Sequence, residues 1–232
     1  MSYLAYPDNS PTNSITPPSG WEILTQSDEL SNFKGGYFGV AFWNRNTNQI
    51  IVAHKGTQNN SIDLFNDFQI VVKDTPSEFY SAIYFMNKVK QKAAEQGIRN
   101  PEYYNTGHSL GALLAELVGA TFQTPVIDFE SPGGYDYIKD FQKNALTFAQ
   151  ANTFTYNARP NAINTWNSHV GSTYEVDPLL SIENKNTDEF GTPVFRSYVD
   201  FTKQQHAIDG IVSLCSAEGD WLDSPKLITK WP

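Results

Sequence analysis

A serine flanked by two glycines constrains the fold of this chain more than any other feature. Residues 107–111 read Gly-His-Ser-Leu-Gly and fit the pattern G-x-S-x-G, in which the serine lies on a sharp turn between a strand and a helix. Residues 103–106 before the motif can form a short strand, and residues 112–117 after it are mostly strong helix formers. The sequence therefore predicts a strand, a tight turn and a helix, with Ser109 on the turn. We call residues 107–111 the serine turn.

The residue types in the serine turn are typical of nucleophilic catalysis. A serine hydroxyl becomes a good nucleophile when a neighbouring base takes its proton, and such a turn lifts the hydroxyl out of the sheet. The small residues at positions 107 and 111 let the strand and the helix approach each other closely. The N–H of Leu110 lies at the helix start, where amides lack an intrahelical partner, so it can face a developing oxyanion. We predict that Ser109 is a nucleophile and that Leu110 contributes an oxyanion-hole amide.

Strand and helix patterns alternate along the rest of the chain. A hairpin is predicted from two β-rich segments joined by a polar turn, and further strands and helices follow at regular intervals. The predicted strands are residues 36–44, 49–54, 124–129, 152–157 and 169–176, and the predicted helices are residues 76–96, 135–151 and 206–217. This alternation predicts an α/β fold with a mostly parallel central sheet, an antiparallel hairpin near the N-terminus and helices on both faces. A length of 232 residues suits a single domain over residues 1–232.

Composition excludes several functional classes. The net charge of −9, from 16 basic and 25 acidic residues, argues against nucleic acid as a partner. No stretch approaches the roughly 20 apolar residues that a membrane span needs, and residues 1–20 lack the features of a signal peptide. The single cysteine, Cys215, excludes an intrachain disulfide. We expect a cytoplasmic location, or export without a recognisable N-terminal signal. No group of residues has the spacing of metal ligands, so we expect no metal and no cofactor.

Four segments carry a family resemblance. They are residues 51–57 (IVAHKGT), 63–67 (DLFND), 106–111 (TGHSLG) and 129–134 (FESPGG). In this order they resemble the fungal-type, or class 3, lipase family of α/β-hydrolases, over roughly residues 36–212. The segment 76–96 lacks the His-x-Gly-Phe that the family usually has there. The resemblance implies an α/β-hydrolase fold and serine ester hydrolysis. It also implies that Thr57 is the first oxyanion-hole residue, through its backbone N–H.

The general base is predicted to be His206. In α/β-hydrolases the nucleophile, the acid and the histidine follow one another along the chain, and His206 is late in the sequence, at a junction between a loop and a predicted helix. His54, on an apolar strand, and His108, inside the serine turn, are interpreted as structural. His169, at the start of the predicted strand 169–176, is given the same interpretation.

The nucleophile, the histidine and the acid that orients the histidine form a catalytic triad. The sequence leaves the identity of the acid open between several residues. Asn161 stands where the family has aspartate. An asparagine oxygen can orient an imidazole but cannot stabilise imidazolium by charge, and an Asp→Asn change costs serine proteases about 10⁴-fold in rate. Asp177 and Asp200 are the alternatives. Only seven residues separate Asn161 from His169, whereas a parallel crossover needs about a dozen or more. We therefore expect the strand from His169 to run antiparallel and to carry Asp177 away, which favours Asn161.

The predicted function is that of a serine ester hydrolase that works through an acyl-enzyme on Ser109, with an acyl ester or lipid as substrate. Peripheral contact with a membrane is left open. Two alternatives remain. The first is a catalytically weak, lipase-like binding or regulatory protein, which Asn161 suggests, and the second is acyl transfer to an alcohol instead of water.

Overall fold

The central element of the molecule is a β-sheet. The computed structural model describes residues 1–6, 15–28, 37–56, 77–141, 143–158, 167–176 and 226–228. Within these residues the sheet has eight strands, which lie side by side in the order in which they occur along the chain. They are β1 Glu22–Gln26, β2 Gly39–Asn44, β3 Gln49–His54, β4 Glu102–Gly107, β5 Val126–Phe129, β6 Thr153–Ala158, β7 Ser172–Val176 and β8 Lys226–Ile228.

The strand directions place five strand ends at one edge of the sheet. Strands β1, β2 and β3 pair antiparallel, β3 to β7 are parallel, and β8 is antiparallel to β7. The α/β fold with its mostly parallel sheet and N-terminal hairpin, predicted from the sequence, is confirmed. The short outer strands β1 and β8 were not predicted. In open α/β sheets, ligands bind outside the carboxyl ends of the parallel strands, so the edge formed by the ends of β3 to β7 is where a functional site is expected.

Four α-helices are described. They are α1 Ser77–Glu95, α2 Leu110–Phe122, α3 Tyr135–Phe141 and α4 Leu146–Asn152, with short 3-10 helices at Ser2–Ala5 and Lys143–Ala145. The helix predicted over residues 76–96 is confirmed as α1. The single helix predicted over residues 135–151 is two helices, because the polar residues Lys143 and Asn144 are exposed and interrupt the buried face. None of the described helices has both the length and the apolar character of a membrane span.

The core lies between the sheet and helices α1 and α2. Residues Ala82, Phe85, Met86 and Val89 of α1 are fully buried, and their spacing is that of one face of an α-helix. They pack against Ile50 and Val52 of β3 and against Leu114 and Val118 of α2. On the opposite face, Ala5 and Tyr6 of the N-terminal segment cover Val40, Phe42 and Ala53. Full burial of each large apolar side chain contributes about 1.5–3 kcal/mol to the stability of the fold. The helices on one face and the N-terminal segment on the other therefore both stabilise the hairpin of β2 and β3 and the adjacent serine turn.

The direction of β7 corrects the sequence analysis. Strand β7 is parallel to β6, with Ala158 opposite Val176, whereas an antiparallel strand was predicted. The prediction counted from His169, but β7 begins at Ser172 and β6 ends at Ala158. The connection is therefore residues 159–171, thirteen residues, which is long enough for a parallel crossover. Strand β7 therefore ends at the functional edge, and the reason for expecting Asp177 elsewhere does not hold, although Asp177 itself lies outside the described residues.

Candidate functional site

Ser109 occupies a strained turn between β4 and α2. Its backbone has φ 60° and ψ −127°, and its side chain makes no capping hydrogen bond to the helix. Positive φ is uncommon for a residue with a side chain, and such strain is concentrated at functional sites. The Ser109 N–H donates to the carbonyl of Phe129 at 3.1 Å, and the Ala112 N–H donates to the Ser109 carbonyl at 2.9 Å. Both neighbouring elements therefore fix the backbone of the serine.

Close backbone packing explains the two glycines of the turn. A Cβ at Gly107 would overlap the carbonyl of Gly111. A Cβ at Gly111 would overlap the carbonyl of His54 and lie 2.9 Å from the amide nitrogen of Gly56. The end of β3 therefore rests directly on the first turn of α2, which brings the segment that leads to Thr57 next to Ser109.

Leu110 is the first residue of α2. Its N–H donates no backbone hydrogen bond to any other residue within the described ranges, as expected for the first amides of a helix. The amide therefore remains available at the serine turn. This placement agrees with the predicted oxyanion role of Leu110 without testing it.

The hydroxyl of Tyr6 joins β3 to the serine turn. The Gly56 N–H donates to the Tyr6 hydroxyl at 2.9 Å, and that hydroxyl donates to the His108 carbonyl at 3.3 Å. The same oxygen lies 3.3 Å from Nδ1 of His108, where the imidazole tautomer decides which group donates. Because the tyrosine is buried, water does not readily replace these bonds. Sequence reasoning missed this residue, since no local pattern links position 6 to positions 56 and 108.

Tyr6→Phe is expected to lower the free energy of unfolding by about 1–3 kcal/mol, because it leaves the Gly56 N–H buried without an acceptor. Urea denaturation would measure the change. Tyr104→Phe is the matched control, since among the described residues the Tyr104 hydroxyl bonds only to the exposed Glu102, at 3.2 Å, and its loss should cost less than about 0.5 kcal/mol. Equal destabilisation by the two variants would contradict the role given to Tyr6.

Three of the four histidines lie in the described residues. His54 is fully buried, with Nδ1 2.8 Å from the Tyr37 hydroxyl and Nε2 3.1 Å from Oδ1 of Asn105. Burial lowers the pKa of His54 to about 4, and the bond to Asn105 opposes this shift, so the ring is neutral at neutral pH. His108 packs on Tyr6, and Nε2 of His169 lies 3.4 Å from Nδ2 of Asn157.

Several predicted site residues fall outside the described residues. They are Thr57, Asn161, Asp177, Asp200 and His206. The strands that precede three of them are described. Thr57 follows β3 by three residues, Asn161 follows β6 by three residues, and Asp177 follows β7 directly. Because β3 to β7 are parallel, these strands all end at the edge where β4 leads into Ser109.

Buried acidic side chains near this edge were also missed. Glu116 of α2, Asp128 of β5 and Glu130 just after β5 are fully buried. Glu130 adopts φ 53°, a left-handed conformation that is uncommon outside glycine. The signal in the sequence was a charged residue inside an otherwise apolar helix and inside a predicted buried strand. No group of three histidine, cysteine or acidic side chains is arranged to hold a metal ion in the part of the chain that the structure describes.

Comparison with solved structures identifies the fold. Lip2 lipase from Yarrowia lipolytica superposes with a TM-score of 0.52 and 14% identity, covering 76% of this chain and 75% of that chain. Lipase II from Rhizopus niveus gives a TM-score of 0.51 and 14% identity, over 75% of this chain and 77% of that one. At such identities the likeness concerns the fold alone.

Comparison with other sequences gives one relative and no family assignment. No family model matches the chain. An uncharacterized protein of Rickettsia prowazekii is 33% identical over 190 residues, which cover 74% of this chain and 51% of that protein. The chain thus spans about half the length of this relative. Sheet order, strand directions and structural neighbours agree that this chain has the α/β-hydrolase fold seen in fungal lipases.

Proposed function

We propose that this protein is a serine carboxylic-ester hydrolase of the lipase type, with Ser109 as nucleophile. The observation that carries the proposal is the backbone of Ser109. This residue has a strained φ of 60° at the junction of β4 and α2, at the edge where the parallel strands end. A strained serine without a capping bond has no evident structural purpose, whereas a nucleophile benefits from being fixed and raised at this point.

The proposed reaction proceeds through an acyl-enzyme. The Ser109 Oγ attacks the acyl carbonyl while His206 takes its proton, and the amides of Thr57 and Leu110 stabilise the oxyanion. His206 then gives the proton to the departing alcohol. In the second half, His206 deprotonates a water that attacks the acyl carbon, and the serine leaves with the proton. Each step uses groups of the protein, substrate or water, so no cofactor is required.

For the third member we propose Asp177 ahead of Asn161 and Asp200. A carboxylate stabilises the imidazolium that forms on His206, which an asparagine cannot do by charge. The parallel course of β7, with Val176 beside Ala158, supports Asp177, since it removes the reason for placing that residue elsewhere. Asn161 follows the neighbouring strand β6 and would orient the imidazole by hydrogen bonding alone.

An acyl ester is the substrate class that this chemistry fits, and the lipase fold of the structural neighbours supports esters of lipids. Acyl transfer to an alcohol would use the same acyl-enzyme, with the alcohol replacing water in the second half. Product analysis in the presence of a short alcohol separates the two outcomes.

A fluorophosphonate probe tests the proposal directly. We expect one covalent adduct, at Ser109, located by peptide mapping after proteolysis, because the probe reports an activated serine beside a base. Ser109→Ala should abolish the adduct, while Ser81→Ala on α1 should leave it unchanged. Labelling of a different serine, or equal labelling of the wild type and Ser109→Ala, would overturn the assignment.

A further inference from the structure

Two carboxyl groups are buried beside the helix that carries the serine turn. Glu116 of α2 and Asp128 of β5 both have 0% of their surface exposed. Burying an ionised carboxylate is costly unless it is paired or hydrogen-bonded. Within the described ranges the only salt bridge joins Arg45 and Glu22, so no described cation compensates either group. Each carboxyl must therefore find its compensation in hydrogen bonds or in a retained proton.

Glu116 accepts a hydrogen bond from the segment that follows β5. The Ser131 hydroxyl donates to its Oε1 at 2.6 Å, and the Gly133 N–H in turn donates to the Ser131 hydroxyl at 3.1 Å. Burial raises the pKa of Glu116 to about 7, while the hydroxyl of Ser131, the amide of Gly134 and the side chain of Asp128 act in the opposite direction. These donors stabilise the charged form of Glu116.

The surroundings of Asp128 favour the protonated, neutral form of its carboxyl group. Burial is the main cause that raises the pKa of Asp128 well above its usual range, and the negative charge of Glu116 raises it further. Thr155 is its partner on β6 and acts in the opposite direction. Both Asp128 oxygens and Oε2 of Glu116 lack a well-aligned hydrogen bond within the described residues. A proton on one Asp128 oxygen, donated to Oε2 of Glu116, would pair two of these three atoms.

Other titratable groups lie on the neighbouring elements. Strand β7 carries the buried Glu175, the loop before it carries His169, and α3 carries the buried Tyr137. The segment after β5 contributes Glu130. None of these is among the causes that set the ionisation of the pair, which are burial, Ser131, Gly134, Thr155 and the two carboxyls themselves.

The pair is connected to the segment that leads to the candidate acids. Residues 131–134, which Glu116 holds through Ser131, form a turn that binds Asn167 and Ser168. The Asn167 N–H donates to the Pro132 carbonyl at 3.0 Å, and the Tyr135 N–H donates to the Ser168 carbonyl at 3.1 Å. Nδ2 of Asn167 donates to the Gly133 carbonyl at 3.3 Å. These bonds fix Asn167 and Ser168, which precede β7 in the chain.

We propose that Asp128 keeps a proton at neutral pH and donates it to Glu116, and that this carboxyl pair positions the 131–134 turn, and through it Asn167 and Ser168, relative to Ser109. When the pair loses its last proton to solvent, two like charges face each other in a buried site and repel. The turn then loses its fixed attachment to α2. The activity part of this inference rests on the function proposed above, whereas the shared proton does not.

The stability of the fold gives the first test, because it is independent of any reaction. A carboxyl with a raised pKa in the folded state stabilises the fold fully below its unfolded value and loses that contribution as the pH rises through the folded value. The stabilisation that the pair gives to the fold should therefore decrease as the pH rises from about 4 to 7 and above. Between pH 5.5 and 8.5 we expect the unfolding equilibrium constant of the wild type, from urea denaturation, to rise by about tenfold or more.

The variant Asp128→Asn keeps the size of the side chain but removes the proton that titrates. Its amide can still donate to Glu116 but does not titrate, so only the titration of Glu116 remains, and the rise of the unfolding constant over the same pH range should be about threefold or more smaller than in the wild type. Asp140→Asn, at an exposed position of α3, is the control and should behave like the wild type. If Asp128→Asn and Asp140→Asn show the same pH dependence as the wild type, there is no shared proton and the proposal is overturned.

Ester hydrolysis tests the positioning role. Glu116→Gln and Ser131→Ala should lower kcat by about tenfold with KM nearly unchanged, since a shift of the backbone beside Ser109 affects the transition state more than substrate binding. Asp128→Asn should weaken the loss of kcat above neutral pH. Wild-type kcat and an unchanged pH profile in all three variants would overturn the positioning role. Should Ser109 not be the nucleophile, the fluorophosphonate adduct would be absent or would map to another residue, and the unfolding measurements would still decide whether the proton is shared.

Discussion

Ser109→Ala is expected to lower kcat for a p-nitrophenyl ester by about 10⁴- to 10⁶-fold, the range found when the nucleophile of a serine hydrolase is removed. The variant keeps the oxyanion amides and the substrate site, so KM should change little. The only catalysis left is that of a positioned water beside the oxyanion hole. Steady-state turnover of the purified variant, compared with the wild type, measures the effect.

Two controls make this result specific to the reaction. Circular dichroism and urea denaturation should show that Ser109→Ala remains folded, because its side chain makes no capping hydrogen bond that the substitution would remove. Ser81→Ala on α1 should retain the wild-type rate. Equal turnover by Ser109→Ala and the wild type would exclude the enzyme function and would favour a lipase-like binding or regulatory protein.

Asp177→Asn is expected to lower kcat by about 10⁴-fold, as the corresponding change does in serine proteases. The amide keeps the size of the side chain and still accepts a hydrogen bond, but the charge that stabilises the imidazolium of His206 is lost. The loss should appear in kcat and in kcat/KM to the same degree, because the interaction develops in the transition state. Asp200→Asn is the parallel variant for the other aspartate.

Asn161→Asp distinguishes an assignment to Asp177 from an assignment to Asn161. If Asp177 is the acid, a second carboxylate at position 161 brings no gain, and the double variant Asn161→Asp with Asp177→Asn stays slow. If Asn161 orients the imidazole, Asn161→Asp should raise the rate and Asp177→Asn should leave it unaltered. The second pattern would restore the assignment that the sequence favoured and would remove Asp177 from the site.

Local patterns in the sequence were sufficient for the elements that depend on neighbouring residues. The hairpin of β2 and β3 follows from β-rich runs joined by a polar turn, and α1 follows from apolar residues at helical spacing. The serine turn could be predicted because its glycines are demanded by contacts within the strand–turn–helix unit and with the adjacent end of β3. In each case the constraint lies mostly within one or two adjacent elements.

The predicted direction of β7 was wrong because the predicted start of this strand was displaced by a few residues. Placing the start of β7 at His169 rather than Ser172 made the connection too short for a crossover and reversed the predicted strand direction. That single shift decided which residue was favoured as the acid. Boundaries of elements are weakly encoded by local pattern, because the last residues of a strand are fixed by its neighbours in the sheet.

The sequence by itself determined the class of fold and a serine on a strand–turn–helix junction, because periodicity and turn chemistry act over a few residues. Only the tertiary structure decided that β7 is parallel to β6, that the Tyr6 hydroxyl bonds to both Gly56 and His108, and that Glu116 and Asp128 are both fully buried. These relations join residues far apart in the chain. They depend on which surfaces are buried together, and no local pattern of residues encodes that.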